Sequence, residues 1–520
     1  MPVKVTVRKN TYYDSVTLMW LSREASGVPG MHQVVVVMGT DLNRELLDRV
    51  GLLDETARKA GPSDLIIALE AVDDRAIEAG EQAVEDLLKR RQELAPDAEH
   101  RYATLRSALQ AFPEADLVSI SIPGRYAWRE AETCIKAGKH VFLFSDNVPL
   151  EQEVRLKRIA QERGLLLMGP DCGTAVISGV VLGFANVLRR GPIGVVAASG
   201  SGAQEVTSMI HNMGSGVAHV IGTGGRDLSR EVGGLMMAMG ISALARDSST
   251  QVIVVISKPP HPEVSRGVLE VLRNTGKPAV VCFMGACHRS SLADGIWGAD
   301  TLENSARIAV ALAQNDDPAS CLGHPSGWGR WVEVAAREAR RLAPSQVFVR
   351  GLYSGGTLCD EAIHILSRTL GHVYSNTPLG PGLKVERIGA GHTILDLGDD
   401  AYTQGRAHPM IDPTLRQAMI LDVAQDPRTS VLLLDCILGY GSHPDPGGSL
   451  VSSIMKAREI ALSAGRHLPV VVSVCGTDLD PQNKDEQANR LRSAGALVLD
   501  SNAQTAAFAG NLMAEVGGTP

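Results

Sequence analysis

Aromatic residues make up only 4% of this 520-residue chain, so its cores must be built from aliphatic side chains rather than large rings. Hydrophobic runs are short as well. None approaches the roughly 18 apolar residues that a membrane-crossing helix needs, and MPVKVTVRKN lacks the apolar stretch of a secretory signal, so cytoplasmic residence is the expectation. The eight cysteines, at 134, 172, 282, 287, 321, 359, 436 and 475, never form a CxxC pair. Thiols scattered through apolar segments imply buried cysteines in a reducing compartment, not a disulfide framework or a structural zinc site, and no metal site is expected. Positive charge is in deficit, with 50 Lys and Arg against 58 Asp and Glu and a net charge of −8, which offers nucleic acid no basic face. HEXXH, Walker A and GxSxG sequences are absent, which removes the metalloprotease, P-loop and α/β-hydrolase readings.

What is present is glycine, 53 residues of it, within a composition that is 44% hydrophobic and 21% charged. That is the profile of a globular α/β chain with several cores and many tight turns. The stretch 191–234, GPIGVVAASGSGAQEVTSMIHNMGSGVAHVIGTGGRDLSREVGG, reads as strand, small-residue turn, helix, strand and glycine turn. It returns in altered form as QVFVRGLYSGGTLCDEAIHIL (346–366) and HTILDLGDDAYTQGRAHPMIDP (392–413). QVIVVISKPPHP (251–262) then matches SVLLLDCILGYGSHPDP (430–446), and KPAVVCFMGA (277–286) matches LPVVVSVCGT (468–477). Ligands of open parallel sheets gather at the carboxyl ends of strands. The first N–H groups of a helix lack intrahelical partners and carry partial positive charge. Ser199, Gly200, Ser201 and Gly202 in the first copy, and Ser354, Gly355, Gly356 and Thr357 in the second, are therefore candidate phosphate- or carboxylate-binding residues. The plainer alternative is that they only shape and cap two turns.

Periodicity divides the chain further. Residues 1–100 read as strand, helix, strand, helix, strand and long helix, a small α/β domain of ferredoxin- or ACT-like type. A charged linker lies at 90–101. Residues 101–188 read as a Rossmann-like, CoA-binding-type domain. Residues 189–315 and 345–520 read as two flavodoxin-like domains, joined by a linker with a helix at 316–344.

GPDCGTAVISG followed by GPIGVVAASGSGAQEV resembles the α subunit of ADP-forming succinyl-CoA synthetase, with its GPNCPG loop and SRSGTLTYEA turn. The second copy resembles the C-terminal domain of that enzyme's β subunit, and together the likeness covers about residues 110–515. The fused order and the segments YYDSVTLM, GTDLNRELL and GRAHPMIDP resemble the FdrA family. The resemblance implies a pair of facing helix starts that hold a phosphate, with Glu205 where the parent's histidine-orienting glutamate falls. The parent's GHAGA loop does not follow KPAVVCFMGA: Gly295, Ile296, Trp297 and Gly298 stand there, and His288 nearby does not match the motif. The GFTGSQG coenzyme A loop is missing, there is no ATP-grasp domain, and in GPDCGTAVISG Asp171 replaces an asparagine and Gly173 a proline. A like charge at ~4 Å costs about 1 kcal/mol in water and more when partly buried, so Asp171 opposes a bound pyrophosphate. What the FdrA resemblance then implies is a subunit of a complex of oxamate carbamoyltransferase type in purine-ureide catabolism. It would hold carbamoyl phosphate, or a related acyl phosphate, between the two helix starts by orientation and oxyanion stabilisation. The alternatives are an ADP-forming acyl-CoA ligase or CoA-binding protein, with coenzyme A and acyl-CoA as ligands, and a non-catalytic scaffold or regulatory subunit. Companion subunits and homo-oligomers are expected.

Individual side chains carry further expectations. Arg406 and His408 offer a planar anion fork and a near-neutral acid–base group; otherwise Arg406 pairs with Asp412 and His408 caps a helix. Arg226 and Asp227 sit in the equivalent loop of the first copy, with a surface ion pair as the alternative. His261 and His443 occupy matching loops, and Lys258 could hold an anion. Cys172 and Cys359 are either thiolates activated by position or small buried fillers. Asp14 and Ser15 read as a helix N-cap or a ligand site.

Overall fold

In the computed structural model the chain is described except for residues 12, 14, 94–101, 103, 287–289, 324–326, 390, 404–405 and 517–520. Asp14, Cys287, His288 and most of the linker at 90–101 lie outside the described residues. The chain divides into two units: residues 1–108 with 397–415, and residues 109–396 with 416–520.

The first unit is built on β1 (Val3–Arg8), α1 (Ser15–Ser26), β2 (Met31–Met38), α2 (Asp41–Arg49), α3 (Glu55–Arg58), β3 (Leu65–Ala71) and α4 (Asp74–Glu93). β3 lies between β1 and β2 and is antiparallel to both. This split β-α-β is the ferredoxin-like arrangement; its fourth strand is absent among the described residues. Side chains alternate between faces along β2. Val34, Val36 and Met38 pack with Leu18 and Leu21 of α1 and Val84 and Leu88 of α4. Val35 packs with Leu47 and Ala57 of α2 and α3. Two helical layers therefore cover the sheet.

The second unit begins with α5 (Leu105–Ala111), β4 (Leu117–Ile120), α6 (Gly124–Lys136), β5 (His140–Leu143), α7 (Leu150–Glu162) and β6 (Leu167–Met168), whose strands form a parallel sheet β4-β5-β6. Next come β7 (Thr174–Ile177), β8 (Val180–Gly183), β9 (Ile193–Ala198), α8 (Gly200–Asn212), β10 (Val217–Gly222), α9 (Leu235–Arg246), β11 (Val252–Ser257), α10 (Pro262–Arg273), β12 (Ala279–Phe283), β13 (Ser290–Ala293), β14 (Ile296–Gly298) and α11 (Leu302–Gln314). The sheet order is β13-β14-β12-β11-β9-β10-β7-β8. Its parallel part reads second, first, third, fourth, fifth strand, the flavodoxin-like order with a switch point at β9. β9, β11 and β12 are buried along their whole length, which explains their unbroken apolar sequences.

The remainder comprises α12 (Trp328–Ala339), β15 (Phe348–Tyr353), α13 (Gly356–Leu370), β16 (Val373–Tyr374), β17 (His392–Asp396), α14 (Asp400–Thr403), α15 (Thr414–Gln425), β18 (Thr429–Ile437), α16 (Pro446–Ser463), β19 (Val470–Cys475), α17 (Lys484–Ser493), β20 (Leu497–Leu499) and α18 (Asn502–Val516). The sheet β16-β17-β15-β18-β19-β20 is parallel throughout and, apart from the added edge strand β16, repeats the order, with its switch point at β15.

Two segments depart from the sequence boundaries. β7 and β8, within 101–188, pair into the sheet of the next domain, because β7 runs antiparallel to β10. Residues 397–415, within the second copy, group with the N-terminal unit.

Candidate functional site

Ser199 follows β9 in extended conformation, and its Oγ accepts the N–H of Gly202 at 3.0 Å, capping α8. The N–H groups of Gly200 and Ser201 have no protein partner among the described residues. The start of α13 lies directly opposite. Ser199 Oγ is 2.6 Å from Thr357 Oγ1, and the N–H of Thr357 donates to Ser201 Oγ at 3.2 Å. A Cβ at Gly355 would stand 2.9 Å from the Ser201 Cβ, so glycine there is a condition of the close approach.

The two starts face each other, as the sequence implied, but they are not equivalent. In the second copy the buried carboxylate of Asp435 fills the turn. It accepts the N–H of Ser354 at 2.9 Å, the hydroxyl of Ser354 at 2.9 Å and the N–H of Gly355 at 2.7 Å. Arg416, itself buried, donates to the same carboxylate at 2.7 Å. Asp396 lies beside Gly356. Ser354 and Gly355 therefore hold an internal anion, and a second one would meet carboxylate charge. The two turns therefore differ: Gly200 and Ser201 keep their N–H groups without a partner among the described residues, whereas Ser354 and Gly355 give theirs to Asp435.

α13 then crosses the carboxyl ends of four neighbouring strands of the first sheet. Thr357 meets Ser199 after β9, and Asp360 pairs with Lys258 after β11 at 2.8 Å. His364 lies against Gly285 after β12, and Arg368 faces Asp300 after β14 at 3.7 Å. Lys258 is an ion-pair partner rather than a free anion receptor. Burial pulls its ammonium pKa down, but Asp360 and Asp396 outweigh that and hold it above the ordinary lysine range. His364 is the exception among the four, with a buried Nε2 that has no partner among the described residues. Reciprocally, α8 crosses the second sheet: the Gln204 amide donates to Leu438 O at 3.3 Å, the Asn212 amide donates to Gly476 O at 3.0 Å, and His211 meets Asp478 at 2.7 Å.

Several sequence candidates resolve into structural roles. Glu205 is buried and accepts the N–H of Asn502 at 3.1 Å; burial raises its pKa. Burial pushes the Cys172 thiol up to about 12 and the Cys359 thiol well above its ordinary value, so neither is an activated thiolate. Both are fillers. Asp171 is exposed with φ +55°. Arg226 pairs with Glu153 at 2.9 Å and donates to Val148 O at 2.7 Å, while Asp227 is fully buried with Lys157 at 2.8 Å. The Nδ1 atoms of His261 and His443 accept the N–H of Glu263 and of Asp445, at 3.4 and 3.0 Å, which makes both local caps. Arg406 belongs to the N-terminal unit, where its Nε and Nη2 donate to Asn43 Oδ1 at 3.3 and 3.2 Å. His408 Nδ1 accepts the N–H of Met410 at 3.2 Å, and Asp412 accepts from Thr414 rather than pairing with Arg406 as the plainer reading had it.

Sequence reasoning missed the group after β4. Pro123, at the N-cap of α6, supplies no side-chain cap, and Gly124 is pressed against the backbone of Asp146 and Asn147. Ile122 and Tyr126 are exposed there, Arg125 lies 4.8 Å over the Tyr126 ring and Arg129 5.1 Å over Trp128. Uncapped N–H groups, guanidinium groups and exposed rings at a strand's carboxyl end suit a phosphate joined to a flat ring. The signal in SIPGRYAWRE was two Arg–aromatic pairs in a chain poor in rings.

The CoA-ligase family model matches residues 352–512, the CoA-binding-domain model residues 189–285, and the model for the AllF heavy metal-associated domain residues 1–103. That last stretch contains no cysteine, and no group of three His, Cys, Asp or Glu able to hold a metal occurs among the described residues. The residues present do not fit a heavy-metal site. The chain is 41% identical over 514 residues to the uncharacterized protein YahF of Escherichia coli K12, covering 98% of each. It is 26% identical to the ADP-forming sulfoacetate-CoA ligase subunit SauD of Bilophila wadsworthia, over 30% of this chain and 54% of that one. Among solved structures, ATP citrate lyase from Methanothrix soehngenii aligns over 80% of this chain and 84% of its own, at 13% identity and a TM-score of 0.37. Among the described residues no helix is long and apolar enough to cross a membrane.

Proposed function

Because the chain belongs to the FdrA family of succinyl-CoA-synthetase-like proteins, we propose that it is the CoA-ligase-type component of an acyl-transferring enzyme that works with companion subunits. The observation that carries this reading is the asymmetry of the facing helix starts. Gly200 and Ser201 keep two unpartnered N–H donors at the switch point of the first sheet, whereas the second turn is filled by Asp435. The free pair would hold the phosphoryl oxygens of an acyl phosphate, or the oxyanion formed when a thiol attacks its carbonyl. In that step the C–S bond forms, the C–O bond to phosphate breaks, and the thiol proton passes to solvent or to a partner subunit. Coenzyme A would place its nucleotide end at the uncapped start of α6, with Arg125, Arg129 and the Tyr126 ring as contacts.

Carbamoyl transfer is a second reading of the same geometry. The N–H pair suits the preformed acyl phosphate carbamoyl phosphate, with oxamate as the partner acid of the reaction.

Calorimetric titration of the full chain with coenzyme A, carbamoyl phosphate and inorganic phosphate, before and after Gly200→Pro, tests both readings. Proline is tolerated at the first position of a helix, and Ser199 already has the extended backbone that a following proline requires. The variant therefore deletes one donor while keeping α8. Coenzyme A binding supports ligase chemistry. Carbamoyl phosphate binding without coenzyme A binding, weakened at least tenfold by Gly200→Pro, supports the second reading. Acyl phosphate binding unaffected by Gly200→Pro removes the N–H pair from both.

A further inference from the structure

We infer that three carboxylates meeting at the start of α18 form a proton-operated lock between the two halves of the second unit, closed while Glu361 carries a proton and loosened when it is charged. The three come from different helices. Glu205 of α8 accepts the Asn502 N–H at 3.1 Å. Glu303 of α11 accepts the Ser501 hydroxyl and the Gln504 amide, each at 2.8 Å. Glu361 of α13 accepts the Leu302 N–H and the Asn502 amide, each at 2.7 Å. Every member is buried, and Asn502 fully so.

The charge arrangement is one-sided. These donors are all neutral, and among the described residues no lysine or arginine bonds to the three carboxylates. The positive ends of α11 and α18 supply partial charge, and Lys484 acts on Glu205 only through space. The other groups facing the cluster are the Cys475 thiol against Glu205 and the Tyr353 phenol near Glu361. Three buried negative charges without a bonded cation are not stable together, so one of the groups retains a proton. The Asn502 amide is committed on one side, donating to Leu358 O at 2.8 Å as well as to Glu361, while its buried Oδ1 has no partner among the described residues. Burial pushes Glu361 up to about 8, with Glu205 raised for the same cause.

The sign follows by linkage. A carboxyl with a raised folded value binds its proton more tightly in the closed state than in the open one. Closure is therefore strongest at acid pH, weakens as pH rises from the ordinary carboxyl range towards about 8, and levels off above it. Because the carboxylates belong to α8, α11 and α13, loosening this point relaxes the seating of the helices whose starts form the candidate site.

Hydrogen exchange of the full chain at Asn502–Thr505, expressed as protection relative to the unfolded rate, tests the lock between pH 6 and 9. Protection should fall about tenfold per pH unit up to about 8 and then level, while strands β9 and β18 serve as internal controls. Glu361→Gln should remove most of the slope. Flat wild-type protection, or an unchanged slope in Glu361→Gln, overturns the proposal. If Glu361→Gln does not fold, Glu205→Gln decides instead: it removes a charge that raises Glu361, so protection should level off at lower pH than in the wild type, and an unchanged profile overturns the proposal. Ligand binding plays no part in the readout, so this result stands apart from the functional proposal.

Discussion

Ser199 Oγ and Thr357 Oγ1 lie 2.6 Å apart, so the first turns of two helices from different sheets are joined by their own hydroxyls. Each hydroxyl belongs to a turn at a sheet's switch point, where positive helix ends would repel each other without oxygen between them. Ser199 also accepts from Gly202 and Ser201 accepts from Thr357. The contact is thus a small network, not a single bond.

Thr357→Val should cost about 1 kcal/mol, the usual value of one buried hydroxyl bond. Gly355→Ala should cost more, about 1–3 kcal/mol, because its Cβ would meet both Ile437 and Ser201 at 2.9 Å. Urea unfolding of both variants measures the difference. A smaller effect for Gly355→Ala would mean that the helix starts can separate freely.

Lys157 is fully buried between Glu153 and Asp227, at 2.8 Å from each. Lys157→Met should destabilise by about 3–5 kcal/mol, since two buried carboxylates lose their cation. Arg226→Ala removes a half-exposed partner of the same Glu153 and should cost at most about 1 kcal/mol. Thermal unfolding of the pair should rank them in that order.

Asp426 gives an acid-side prediction. Burial alone would raise its pKa, but hydrogen bonds from Arg428 and Arg350 overcome that and hold it at about 2. Its folded value lies below its unfolded one, so its contribution is complete above about pH 4 and lost as pH falls towards 2. Wild type should exceed Asp426→Asn by about 2 kcal/mol at pH 7, and the gap should narrow below pH 4. A gap independent of pH would assign the effect to packing.

Sheets and turns were legible because buried parallel strands are written as continuous aliphatic runs, and QVIVVIS or VLLLDC can be little else. The turn of Ser199 was legible for the same reason. What escaped was the difference between the copies. Asp435 sits inside the run SVLLLDCIL, and a charge in such a run was the available sign that a backbone anion site had been filled from within. The surroundings of Arg406 also escaped, because sequence neighbours need not share a unit: its segment leaves the second sheet after β17 and groups with the N-terminal unit. The place of Glu205 in a motif says nothing of the Asn502 N–H that meets it from nearly three hundred residues away.

The passage of α13 over four strand ends sets a limit on how this molecule can vary. Strands repeat about every 4.8 Å and helical turns about every 5.4 Å, so the two scales agree only if the helix lies oblique to the row of strands, by roughly 27° on that arithmetic. Thr357, Asp360, His364 and Arg368 work like the marks of a vernier against Ser199, Lys258, Gly285 and Asp300. Inserting one residue before Asp360 would rotate every later mark by about 100°, taking Asp360, His364 and Arg368 off their strand ends together, whereas a change of side chain disturbs one mark alone. The spacing of α13 should therefore tolerate substitution far better than any change in length.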